Sequence, residues 1–247
     1  MSGLDWLTAR PVAHRGLHDG VTVIENTASA FRAAIDGGYA IETDVQLTAD
    51  GEAMVHHDFA LGRLTLGSRQ LAAMTAAGLK EVPFKATTDR MMTLGELCDL
   101  VAGRVPLVIE LKSRFDDDMT LAARAAEVLQ RYTGPAALMS FDPKPIAVLR
   151  EIAPDLPRGI VAERHYADEE WEHLTTSEKD SLALLLHAPR TRPHFVAYHV
   201  KDLPSPGPWI ARNIFRRPLL TWTVRTEDDR QRAKRWASQM IFEGFRP

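Results

Sequence analysis

At 247 residues the chain has the length of one α/β barrel, a fold that runs to about 250 residues as a unit. Its 45% apolar and 26% charged residues are those of an ordinary globular protein, and a net charge of −3 argues against a nucleic-acid surface while leaving room for a locally basic pocket for a small anion. A lone cysteine, Cys98, excludes an intrachain disulfide and suits a reducing cytoplasm.

The N-terminal stretch MSGLDWLTARPVAHRG has neither the basic region nor the apolar core of a secretory signal. No apolar run reaches the roughly 18 residues that a membrane helix needs. The expectation is a soluble, cytoplasmic protein. The first strand is PVAH at 11–14. A helix follows from Asn26, a good N-cap, to about Gly37, with Phe31, Ala34 and Ile35 on one face and Gly37-Gly38 as its stop. The next strand, AIETDVQL, carries Glu42 and Asp44. TADG at 48–51 is turn chemistry, so EAMVHH folds back antiparallel to that strand. The irregular stretch 59–92 reads as part of an insertion covering about 48–92.

Alternation then resumes: helix 93–102, strand PLVIELK, helix 118–131, strand AALMS, helix 144–151, a strand near RGIVAE and helical material within 168–187. Strand HFVAYH, a short helix around Trp209, strand PLLTWTV, a helix from Glu227 to about Trp236, and SQMIF complete the series. Without the hairpin this gives eight barrel strands in one domain spanning 1–247, and no helix follows the eighth. The prediction is a (β/α)8 TIM-type barrel with a small insertion after the second strand; an open doubly wound sheet is the alternative.

Side chains alternate faces along a strand, so Glu42 and Asp44 share one face, as do Glu110 and Lys112. With His14, they all fall at or near C-terminal strand ends, where barrel sites lie. Three carboxylates from two strands repel one another without a cation, and all-oxygen ligation suits Mg²⁺ or Ca²⁺. The competing reading is a structural salt-bridge network with Lys112 and Arg15. Of His56 and His57 at most one faces the site, and His57 gains from neighbouring Asp58. Two histidines beside a metal-held anion suit a general base and a general acid, and Arg15 offers a fork of donors to phosphate.

AHRG, ENTASAFRAAIDGGYAIETDVQLTADG, MVHHD, TLGELCDLVAGRVPLVIELK, LMSFD and LLTWTV, in this order, resemble the glycerophosphodiester phosphodiesterases. The resemblance implies hydrolysis of glycerophosphodiesters to sn-glycerol 3-phosphate and an alcohol. It further implies one divalent cation (Mg²⁺ or Ca²⁺) on Glu42, Asp44 and Glu110, an acid/base pair in His14 and His57, phosphate-side cations in Arg15 and Lys112, and Trp222 against the glycerol moiety. Two features depart from the family: Ile24 stands where a proline is usual, and MIFEGFRP replaces a Thr-Asp-x-Pro ending, so Glu243 is left out of the expected site. Alternatives are headgroup-side cleavage of lysophospholipids, a two-carboxylate glycosidase, and a barrel that binds a phosphodiester without cleaving it. His199, Ser140 and Phe141 are candidate pocket wall; His165, His173, His187 and His194 read as surface residues.

Overall fold

The computed structural model describes residues 3–247. Nine strands form one sheet among them: β1 (Val12–Ala13), β2 (Ala40–Leu47), β3 (Ala53–Val55), β4 (Leu107–Leu111), β5 (Ala136–Ser140), β6 (Arg158–Ala162), β7 (Phe195–His199), β8 (Leu219–Val224) and β9 (Gln239–Phe242). β1 pairs in parallel with both β2 and β9, closing an eight-strand parallel ring. β3 stands outside the ring, antiparallel to the far end of β2 through Val45↔Val55, Gln46↔Met54 and Leu47↔Ala53. The predicted barrel and its extra hairpin strand are therefore present.

Helices Ala28–Asp36, Leu94–Val101, Thr120–Gln130, Pro143–Ile152 and Glu227–Trp236 lie where the apolar spacing predicts them. One boundary moves. Asn26 is not the N-cap of the first helix; Thr27 takes that place, its side chain accepting from the Ala30 amide. Asn26 instead adopts a positive φ of 56° and is buried. A prolonged 59–92 excursion contains a short helix, Ala76–Lys80, and its own apolar cluster of Ile24, Met54, Leu61, Leu71, Leu79 and Phe84. No helix of the described residues is long and apolar enough to cross a membrane.

The period of two organises the barrel interior. Val12, Ala40, Val108, Ala137, Val161, Ala197, Leu220 and Ile241 form an apolar lower layer, with Leu7 of the Asp5–Leu7 turn packed against it. Two residues further along each strand stand His14, Glu42, Glu110, Met139, Glu163, His199, Trp222 and Glu243. The strand period thus lifts polar and aromatic groups onto a dry floor. Outward-facing residues such as Ile41, Ile109 and Leu138 pack under the helices.

At the bottom of the barrel, Phe195 fills the space that Gly159 leaves: a Cβ on Gly159 would meet the Phe195 ring at 2.4 Å. Gly159→Ala is expected to destabilise by about 1–3 kcal/mol through overpacking. The denaturant midpoint reads this, and Phe195→Leu in the same chain should recover part of the loss.

Candidate active site

The site begins with the tight turn after β1. Arg15 has φ +54° and Gly16 φ +82°. A Cβ on Gly16 would meet Ala30 at 2.8 Å, so the turn requires glycine both for its conformation and for its contact with the first helix. The Asn26 amide donates its backbone N–H to Arg15 O (2.9 Å). Its Nδ2 donates to Asp44 Oδ2 (2.9 Å) and its Oδ1 accepts from Thr43 Oγ1 (2.7 Å). A residue predicted as a cap is instead a buried strut between the first turn and β2.

Parallel pairing sets Asp44 beside Glu110 in register. One carboxylate oxygen from each of Glu42, Asp44 and Glu110 lies within 4.8 Å of the others, and all three residues are buried. Burial, then the neighbouring carboxylates, pushes Glu42 well above its ordinary range. Burial also raises Glu110, although Lys112 Nζ lies 3.1 Å from its Oε1. For Asp44, burial acts upward but is outweighed, chiefly by Arg15, which holds its carboxyl below the usual range. The trio is short of positive charge. Arg15 Nη1 is taken by Glu25 (2.7 Å), and its Nε lies 3.2 Å from Asp44 without a hydrogen bond. Glu42 receives the backbone N–H of Arg15 at 3.0 Å.

Each predicted histidine is held by a carboxylate. His57 Nδ1 lies 2.8 Å from Asp58 Oδ1, and its Nε2 lies 3.3 Å from Lys112 Nζ. The hairpin provides this placement: Gln46 Nε2 donates to the carbonyls of His57 (2.8 Å) and Asp58 (2.7 Å). Arg63, from the 59–92 excursion, bonds Asp58 and Glu25 together. His56 is buried, its backbone N–H on Asp44 O. His14 Nδ1 lies 2.7 Å from Glu243 Oε2, and its Nε2 lies 4.0 Å from Glu42. Burial lowers the His14 imidazole, against the pull of Glu243. Arg225 Nη2 anchors the same Glu243 oxygen at 2.9 Å.

Seven of the predicted residues, His14, Arg15, Glu42, His57, Glu110, Lys112 and Trp222, line one cavity of about 210 Å³, and Asp44 lies against it through Glu42 and Glu110. Trp222 stands edge-on to Phe141 at 5.5 Å and near His199 at 5.1 Å. Ser140 lines an adjoining groove rather than this cavity, its hydroxyl donating to Leu111 O. An adjoining groove of about 260 Å³ shares Lys112, Phe141, Glu170 and Trp171 with the cavity and runs outward to Phe59, Phe115 and His173.

Three features escaped the sequence reading. Glu243 orients His14 although the chain end departs from the expected pattern. Glu163 lines the cavity, buried, with Oε1 unpartnered. The period of two signals both, since Ile241-Phe242-Glu243 and Val161-Ala162-Glu163 repeat the spacing of Val108-Ile109-Glu110. His18 brings a ring nitrogen within 4.8 Å of ligand-type atoms of His14 and Glu243. Two surface assignments are corrected: both ring nitrogens of His187 are buried without partners, and His194 Nδ1 accepts from the Arg158 backbone N–H.

Fold and site define a (β/α)8 barrel whose mouth carries a buried carboxylate trio flanked by two carboxylate-held histidines. The model of the Glycerophosphoryl diester phosphodiesterase family matches residues 14–244, and the chain belongs to that family of phosphoric diester hydrolases. It is 31% identical over 160 residues to a glycerophosphodiester phosphodiesterase of Caldanaerobacter subterraneus subsp. tengcongensis, a match covering 61% of this chain and 65% of the relative's length. An Oleispira antarctica phosphodiesterase, solved with the product sn-glycerol-3-phosphate, superposes with a TM-score of 0.78 at 20% identity over 97% of this chain and 95% of that one. The glycerophosphodiester phosphodiesterase of Thermotoga maritima gives 0.71 at 23% identity over 94% of both chains. These two structures share the fold.

Burial, then Asp168, Asp202 and Glu170, pushes Glu163 up to about 8 from 4.5. Between those values the folded chain keeps a proton that the unfolded chain has lost, so this group makes stability fall as pH rises through the window. Glu163→Gln should flatten that part of the slope, as read by urea midpoints at pH 5, 6.5 and 8, each about one step along the window.

Proposed function

We propose that this chain hydrolyses glycerophosphodiesters to sn-glycerol 3-phosphate and an alcohol in the cytoplasm, with a divalent cation, Mg²⁺ or Ca²⁺, on Glu42, Asp44 and Glu110. The observation that carries the reading is the carboxylate trio itself, three buried acids within 4.8 Å between two histidines in one cavity. Family membership and the product bound in the Oleispira enzyme support it.

The donor set fits a hard cation. Its members are oxygens, burial strains Glu42 and Glu110 toward protonation, and the nearby cations are partly committed elsewhere. A cation bound there supplies charge neutralisation at a phosphoryl oxygen. Lys112 and the uncommitted Nη2 of Arg15 complete an anion clamp.

The histidines divide the proton work. Glu243 on His14 Nδ1 and Asp58 on His57 Nδ1 fix each ring and leave both Nε2 atoms toward the cavity. One Nε2 takes the proton of the attacking hydroxyl, and the other returns a proton to the departing alcohol oxygen. The Trp222 and Phe141 faces give the glycerol carbons an apolar wall.

Release of glycerol 3-phosphate from glycerophosphocholine should be lost on chelation and restored by Mg²⁺ or Ca²⁺. His14→Ala and His57→Ala should each lower turnover about 10²–10⁴-fold with the cation still bound. Near-normal turnover in both variants would sink the assignment. The cation is also visible without activity: at a hundredfold excess over Kd it should stabilise the fold by about 2.7 kcal/mol, several degrees in Tm. Glu42→Gln should abolish that rise.

The groove toward Phe59 and Phe115 favours one second reading, headgroup-side cleavage of monoacyl substrates, because Phe59, Phe115, Phe141 and Trp171 line it. Comparing turnover of glycerophosphocholine with that of its monoacyl form separates the two.

A further inference from the structure

Far from the site, the helical layer over β6 and β7 is thin. The turn Leu184–His187 leads only to the four-residue helix Ala188–Thr191, and on the other side stands helix Pro206–Asn213. Gly207 allows these segments to touch, since a Cβ there would meet Ala183 O and Leu184 at 3.1 Å. Between them runs an open groove of about 580 Å³, floored by Ile160 and Val196 and walled by Leu185, Ile210 and Phe215. His187 adds no charge, because burial lowers its imidazole to about 4 and it is neutral there. Along the rim Leu186, Ile214 and Phe215 are 63%, 60% and 66% exposed.

The charges around this patch are one-sided. Residues 184–218 contain six basic side chains and a single acid, Asp202, a surplus of five positive charges in a chain of net charge −3. Asp202 is occupied elsewhere, accepting from the Arg164 backbone N–H and facing His199. Among the described residues the arginines paired with carboxylates are Arg15, Arg63, Arg124, Arg131, Arg225 and Arg230. Arg190, Arg192, Arg212, Arg216 and Arg217 are not among them. Arg192 and Arg217 border the groove. Arg150 reaches the same area through Arg190 O (2.8 Å), while Glu151 and Asp155, close to it in sequence, form no ion pair among the described residues. Arg158, buried, is pushed down first by burial and then by Arg150, Arg192 and Arg217. Uncompensated guanidinium groups beside exposed aliphatic and aromatic side chains await an anionic, apolar-cored counterpart.

We infer that this face docks on the surface of an anionic phospholipid bilayer, with Leu186, Ile214 and Phe215 at the headgroup–acyl boundary and the arginines on lipid phosphates. Arginine stems lie along apolar surface while their heads reach phosphate, and each basic residue near such a surface contributes to binding. A second copy of the chain is a poor occupant, because a two-fold contact would set arginines against arginines. The segments lead into the N-terminal ends of β7 and β8, whereas the candidate site lies at the C-terminal ends. Docking there leaves the cavity mouth open to soluble substrate.

The test is co-sedimentation of the full chain with vesicles of phosphatidylcholine alone and of phosphatidylcholine with phosphatidylglycerol. At low salt, binding to the mixed vesicles should exceed binding to the neutral ones by at least about tenfold and weaken as salt is added. Ile214→Ser with Phe215→Ser, and separately Arg216→Glu with Arg217→Glu, should each cut binding about tenfold or more with Tm and glycerophosphocholine turnover unchanged. Should the serine pair lower Tm, the charge-reversal pair, at exposed positions, decides alone. Equal binding to both vesicle types, binding to neither, a wild-type dimer that the serine pair dissociates, or an acidic protein partner in place of lipid would each overturn the inference.

Discussion

Three buried carboxylates with oxygens within 4.8 Å of one another are the constraint around which this barrel mouth is built. An uncompensated buried acid is costly, and here there are three on adjoining strands. Positive and donor groups therefore converge on them from separate parts of the chain: the Arg15 amide and guanidinium from the first turn, the Asn26 amide from the following loop, and Lys112 from β4. The compensation is incomplete. Asp44 is held ionised while Glu42 and Glu110 are pushed toward protonation.

The layer beneath makes this tolerable. Each barrel strand places a small or branched apolar residue two positions below the upper layer, so the acids stand on a dry, closely packed floor rather than over a channel. Phe195 filling the space beside Gly159, and Leu7 closing the lower opening, keep that floor solid. Glu42 and Glu110 open onto the cavity that the two histidines border.

The excursion after β2 serves the site rather than the barrel. Gln46 clips the carbonyls of the returning chain, and Arg63 ties Asp58 to Glu25, which also holds Arg15. One chain of ion pairs thereby links the orientation of His57 to that of the first turn. His14 is fixed from the opposite side of the ring by Glu243 at the end of β9. The two imidazoles are thus held by different carboxylates, Glu243 and Asp58.

Much of this was legible in the residues alone. Alternation of apolar runs with helical spacing pointed to a barrel with an open doubly wound sheet as the alternative, TADG determined the extra hairpin, and the period of two determined that Glu42 shares a face with Asp44 and Glu110 with Lys112, because strand geometry is local. Helix existence was equally local; the cap was not, since Asn26 has the right chemistry for capping but is drawn away by Asp44 and Thr43. What only the tertiary structure decided is which distant groups meet. Glu243 reaches His14 across 229 residues because β9 pairs with β1 to close the ring, and that closure is a property of eight strands together. Glu163, placed two residues beyond Val161 by the same rule as Glu110, is pushed toward protonation first by its burial and then by Asp168, Asp202 and Glu170 folded against it. Period dictates where a side chain points; only packing decides what it faces.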